Sequence, residues 1–120
     1  MANRAATLST QQEPTYYVRP DGAAVLRLHN PPLNALNFAT RMSIMQGVER
    51  AELDPAVKIL VITGSGKAFS AGADITEFAP GKMKAPLLPE VINRVEGCKK
   101  VVVAAVNGLA LGGGTELALG

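Results

Sequence analysis

The residues best suited to chemistry lie in and just after two glycine-rich stretches. The first is Gly64-Ser65-Gly66-Lys67-Ala68-Phe69-Ser70-Ala71-Gly72-Ala73-Asp74. The second runs from Asn107 to Gly114 and is followed by Thr115-Glu116. Each follows a β-branched apolar run and leads into a helix-like segment. Helix N-termini present backbone N–H groups without intrahelical partners, at the positive end of the helix dipole. Small residues at Ala71-Gly72-Ala73 and Gly112-Gly113-Gly114 let a ligand approach the main chain itself. Two such amides converging on one oxygen form an oxyanion hole, in which losing one donor costs about 10²–10³ in rate. Glu116, one turn into the second helix, is placed to act as an acid or base. It equally fits the N3 position of a capping box with Gly113 as N-cap, so spacing alone leaves both roles open.

Other candidates reduce to plainer roles. Asp74 reads as a helix cap rather than a catalyst. Ala68-Phe69-Ser70-Ala71-Gly72 is one residue away from a nucleophile elbow, which raises a serine thioesterase using Ser70 as a rival. That chemistry needs a histidine after Ser70, and the single histidine, His29, precedes it. No run supplies the G-x-G-x-x-G spacing of a dinucleotide site. His29, beside Asn30-Pro31-Pro32, reads as a surface residue, and Lys99-Lys100 as a solvated helix end rather than a phosphate clamp. No metal site is predicted.

These stretches need a scaffold. Tyr16 to Val18 and Ala23 to His29 read as strands joined through the turn Pro20-Asp21-Gly22. The double proline ends the second strand, because prolines remove ladder donors. Phe38 to Leu53 has a helical rhythm in Ile44, Met45, Val48 and Ala51, with Asn37 as N-cap and Asp54-Pro55 as its close. Val57 to Thr63 and Val101 to Val106 read as parallel strands buried on both faces. Asp74 to Glu77 looks like a capped helix start with Glu77 at N3. Ala79 to Pro89 is predicted to be a mobile surface loop, and Leu87 to Cys98 a helix. The alternation of strand, loop and helix implies an α/β fold with right-handed crossovers. Both glycine-rich stretches then leave the carboxyl ends of their strands on one edge of the sheet, where open α/β folds bind ligands.

Composition sets the outer limits. A 48% hydrophobic and 18% charged chain is globular rather than disordered. A net charge of +2 without a basic stripe, and 4% aromatic residues, argue against nucleic acid as a partner. No apolar run reaches membrane-spanning length, so no membrane partner is predicted. The single cysteine, Cys98, suits a reducing compartment. Residues 1–14 read as a disordered tail and 15–120 as one domain; Arg4 alone is thin support for a mitochondrial leader.

At the glycine-rich stretches the chain resembles the enoyl-CoA hydratase/isomerase (crotonase) superfamily. Phe69-Ser70-Ala71-Gly72-Ala73-Asp74-Ile75 and the stretch from Ala104 to Glu116 look like its two signature loops. Asn30-Pro31-Pro32-Leu33-Asn34-Ala35-Leu36 is similar to its early loop, with a double proline like that of multifunctional β-oxidation enzymes. The resemblance covers residues 16 to 120. It implies a spiral of ββα units and an acyl-CoA thioester substrate. By matching position, the N–H groups of Ala73 and Gly113 would hold the thioester oxygen, and Glu116 would work on the attacking water. Ala71, Gly72, Asp74 and Ile75 match the segment lining the CoA site, and Ala35 a more loosely assigned contact.

The same resemblance implies an enoyl-CoA hydratase of fatty acid β-oxidation with associated isomerase activity, peroxisomal or cytoplasmic. It implies no cofactor beyond the CoA of the substrate, with NAD involved only where a dehydrogenase domain follows. The whole protein is expected to be a trimer, a hexamer or a monomeric multifunctional enzyme. Two departures stand out. Val101 replaces a proline common in relatives, which a strand tolerates. Relatives also carry a second catalytic glutamate beyond the first, and nothing follows Gly120. The expectation is therefore a fragment, an incomplete hydratase domain with little or no activity of its own, or a CoA-binding protein without hydratase activity.

Overall fold

The turn tripeptide works as its composition predicts. In the computed structural model, which describes residues 15–72, 74, 77, 84–110, 114 and 117, Arg19 N donates to Ala23 O and Gly22 N to Arg19 O. This closes a hairpin between β1 (Tyr16–Val18) and β2 (Ala23–Leu28), paired antiparallel with Tyr16 opposite Leu26. The expected tail, residues 1–14, lies outside the described residues.

Helix α1 (Phe38–Leu53) has the predicted bounds and caps. The Asn37 side chain accepts from Thr40 N at 2.9 Å, and Asp54 closes the helix with its N–H on Ala51 O. Strand β3 (Ile59–Gly64) then pairs parallel with β2, and β5 (Val101–Ala105) pairs parallel with β3. The sheet order is β1-β2-β3-β5. Between β3 and β5 lie β4 (Ala68–Ser70) and α2 (Leu88–Glu96). Strand β4 forms inside what the sequence presents as a continuous loop, and it is wholly buried. A short β6 (Leu109–Ala110) pairs with it, parallel, in a separate two-stranded sheet. Helix α2 takes in Pro89, where the predicted loop and the predicted helix overlap; proline is tolerated there because first-turn N–H groups have no intrahelical acceptor.

The core forms on one face of the larger sheet. Leu26, Leu28, Leu60 and Ile62 pack with Ile44, Val48 and Ala51 of α1 and with Val91 and Val95 of α2. This corrects the expectation of strands buried on both faces. Strand β3 alternates, with Leu60 and Ile62 buried and Ile59 and Val61 only half-buried. Strand β5 is more open still, with Val101 64% and Val103 43% exposed. The register explains it: Val25, Val61 and Val103 form one row across the sheet, opposite the face that both described helices cover.

Two charged clips tie α1 to the chain beyond it. Lys100, expected at a solvated helix end, instead donates its Nζ to the carbonyls of Asp54 and Val57, where a cation also favours the α1 C-terminus. Glu52 receives both terminal nitrogens of Arg94 and the backbone N–H of Lys99. The Arg94 hydrogen bonds, then the Lys99 amide, hold the Glu52 carboxyl at about 2, below its usual 4.5. A carboxylate depressed in this way stabilises the fold above its usual value and loses that contribution as pH falls towards 2. A Glu52→Gln variant is expected to melt below the wild type at pH 7 and to approach it at pH 2, measured as Tm at both.

Candidate functional site

The two glycine-rich stretches meet, as the parallel topology requires. Asn107, just past β5, accepts from Gly64 N through Oδ1 at 3.0 Å and donates from Nδ2 to Gly66 O at 3.1 Å. The β4–β6 pairing extends this junction from Ala68 to Ser70. Gly114 lies against Ser70 so closely that a methyl group there would collide with the Ser70 carbonyl. Part of the glycine content of the second stretch therefore serves loop-to-loop packing, rather than ligand approach alone.

The early loop locks onto the same junction through Asn34. This residue is fully buried and has φ 57°, a left-handed conformation that asparagine tolerates better than most. Its Nδ2 donates to the carbonyls of Ser65 and Ala68, both at 2.9 Å, and its Oδ1 accepts from Asn30 N at 2.9 Å. Ala71 N donates to Leu33 O and Leu36 N to Gly72 O, at 2.9 and 2.7 Å. Gly72 has φ 96°, which side-chain-bearing residues rarely adopt. These bonds set the Leu33–Leu36 segment, which contains Ala35, beside Ala71 and Gly72. Asp74 is half-buried, and its carbonyl accepts from Glu77 N. Ala73, Ile75, Gly113 and Glu116 lie outside the described residues. So does Gly113 as the N-cap of a capping box.

Ser70 is tied into the packing of the loops. Its side chain is fully buried, its Oγ donates to Asn34 O at 2.7 Å, and it accepts from Gly72 N at 3.1 Å. His29 is exposed and pairs instead with Ser65 Oγ. Glu77 also departs from expectation. Rather than capping its own segment, its carboxylate accepts from Phe38 N at 2.8 Å and from Arg41 at 2.7 Å.

Asn34, Asn107 and the Arg41–Glu77 pair were not singled out by sequence reasoning. For Asn34 a signal existed, an asparagine two residues after a double proline, in the turn itself. For the others the partners are distant in sequence, and nothing local marks them.

A family model described as Enoyl-CoA hydratase/isomerase matches residues 19–120. The chain belongs to the enoyl-CoA hydratase/isomerase family. It is 49% identical over 96 residues to a peroxisomal bifunctional enzyme of Danio rerio, covering 80% of this chain and 13% of that protein. It is 42% identical over 102 residues to a probable enoyl-CoA hydratase of Bacillus subtilis, covering 80% of this chain and 40% of that protein. Among solved structures, an enoyl-CoA hydratase/isomerase from Xanthobacter autotrophicus Py2 superposes with a TM-score of 0.76 at 33% identity. That superposition covers 87% of this chain and 42% of the other. The chain thus spans less than half the length of these relatives. Its enoyl-CoA hydratase/isomerase fold accounts for the parallel sheet and for the meeting of the two glycine-rich stretches.

Proposed function

We propose that the whole protein is an enoyl-CoA hydratase acting on acyl-CoA thioesters. In this reading water adds across the double bond of a 2-enoyl-CoA, its oxygen joining C3 and a proton joining C2. Charge builds on the thioester oxygen during addition, and two fixed amide donors, from Ala73 and Gly113, stabilise it. Glu116 takes the proton of the attacking water. The observation that carries the reading is the shared anchor at Ser70. Gly72, which precedes Ala73, donates its N–H to the Ser70 hydroxyl, and Gly114, which follows Gly113, lies against the Ser70 carbonyl. The neighbours of both expected donors are therefore fastened to one residue. The peroxisomal bifunctional relative favours a peroxisomal location for the whole protein, and no cofactor beyond the substrate's CoA is proposed.

The test is consumption of crotonyl-CoA by the whole protein, with Ser70→Ala beside it. The wild type is expected to hydrate the thioester. The variant is expected still to hydrate it, at a reduced rate because Gly72 loses its anchor, while losing about 1–3 kcal/mol of stability, because Asn34 O and Gly72 N lose their buried partner. Hydrolysis of the thioester that vanishes with Ser70, without hydration, would instead favour the serine thioesterase.

A further inference from the structure

We propose that Arg41 and Glu77 are positioning residues for the acyl-CoA site, holding the stretch that carries Gly72 and Asp74 against the start of α1. The inference rests on the hydratase reading for the identity of the substrate, but not for the clamp itself. The stretch is fastened at both ends to the same short run of chain. At Gly72 the carbonyl accepts from Leu36 N at 2.7 Å. At Glu77 the carboxylate accepts from Phe38 N at 2.8 Å through Oε2 and from Arg41 at 2.7 Å through Oε1. Phe38 is the first residue of α1, so its N–H has no acceptor inside the helix. Asn37 covers Thr40 N of that turn and Glu77 covers Phe38 N, so a carboxylate from a distant segment completes the cap at the positive end of the helix dipole.

Arg41 extends the clamp to a third segment. Its guanidinium is 3% exposed and donates to Leu36 O, Glu77 Oε1, Lys84 O and Pro86 O, at 2.7 to 2.9 Å. The planar fork therefore meets the early loop, the end of the Gly72–Glu77 stretch and the run leading into α2. The backbone groups it partners stabilise the fold, but the choice of an ion pair to do so is poorly explained by stability. Burying an ion pair costs desolvation that its attraction barely offsets, and well-packed apolar pairs often do as well or better. What the pair adds is direction: fixed donor and acceptor angles that set where each segment sits. At an acyl-CoA site this matters more than stability, since a displacement of about 1 Å in a positioning element can cost ~10²-fold in rate.

The discriminating variant is Arg41→Met/Glu77→Leu in the whole protein, which replaces the pair with apolar side chains. The expected result is a folded protein with a lowered Tm, since Leu36 O, Lys84 O, Pro86 O and Phe38 N lose their side-chain partners, and with kcat on crotonyl-CoA lowered ~10²-fold. Hydrogen exchange of peptides covering Gly72 and Asp74 is expected to quicken, while α2 stays protected. Wild-type kcat together with unchanged exchange in a folded double variant would overturn the clamp and leave the hydratase reading intact. A wild type that does not hydrate crotonyl-CoA would sink the hydratase reading, and the exchange measurement would then decide the clamp by itself. Should the double variant fail to fold, Glu77→Gln, which keeps the shape and removes the charge, is judged at the same two endpoints.

Discussion

An Asn34→Ala variant is expected to lose about 3–5 kcal/mol of stability, read as the shift in urea-induced unfolding of the whole protein. The carbonyl of Ser65 and the N–H of Asn30 lose their side-chain partner together, and the carbonyls of Ala68 and Phe69 each lose a donor. Asn34 itself is fully buried, so water does not replace the lost amide without a void opening. Alanine also fits poorly at φ 57°, which adds roughly 1 kcal/mol. Asn34→Gly separates the two contributions, because glycine accepts the backbone angle yet makes none of the side-chain bonds. Its loss is expected to be smaller than that of alanine by about the strain alone. A change below about 0.5 kcal/mol for Asn34→Ala would show that the early loop is held by its backbone bonds and not by this side chain.

Glu116→Gln is expected to lower kcat on crotonyl-CoA by ~10²–10⁴-fold in the whole protein while leaving KM within a few-fold. Glutamine keeps the size and much of the hydrogen-bonding of glutamate but does not take a proton from water at neutral pH. Removing a group that acts only in the transition state lowers kcat rather than binding. The variant also separates the two roles that spacing leaves open. A glutamate that merely completes a capping box would cost about 0.5–2 kcal/mol of stability on replacement and leave turnover untouched. Steady-state kinetics beside a thermal melt distinguishes these outcomes. Among the described residues, Gly114 is pressed on Ser70 and Leu117 is buried in the core.

Local signals carried much of the fold. The bounds and both caps of α1 follow from Asn37, Asp54-Pro55 and an apolar period, all read within a single stretch of chain. The β1–β2 hairpin follows from Pro20-Asp21-Gly22, and the parallel sheet from the alternation of elements. What escaped depends on distant partners. Strand β4 is too short to show a period and exists because β6 lies alongside it. Whether Val101 and Val103 are covered depends on register and on which face the helices take, and a β-branched run looks the same either way. Asn34, Asn107 and the Arg41–Glu77 pair act across long separations, so their types gave no local sign of their partners. The assignment of Ala73 and Gly113 as donors rests on family resemblance alone.

The Asn34 junction has a kinetic consequence. Its bonds close loops of 31 to 36 residues, and Asn107 reaches back 43 to Gly64. Loop-closure entropy makes contacts of that span late arrivals, formed after the β2–α1–β3 unit has already brought the segments near. Interactions absent from the folding transition state act on the rate of opening rather than of closing. Stopped-flow measurements on Asn34→Ala should therefore show its penalty almost wholly as faster unfolding, with refolding near the wild-type rate. The junction of the early loop with the two glycine-rich stretches would then be the last to assemble and the first to let go.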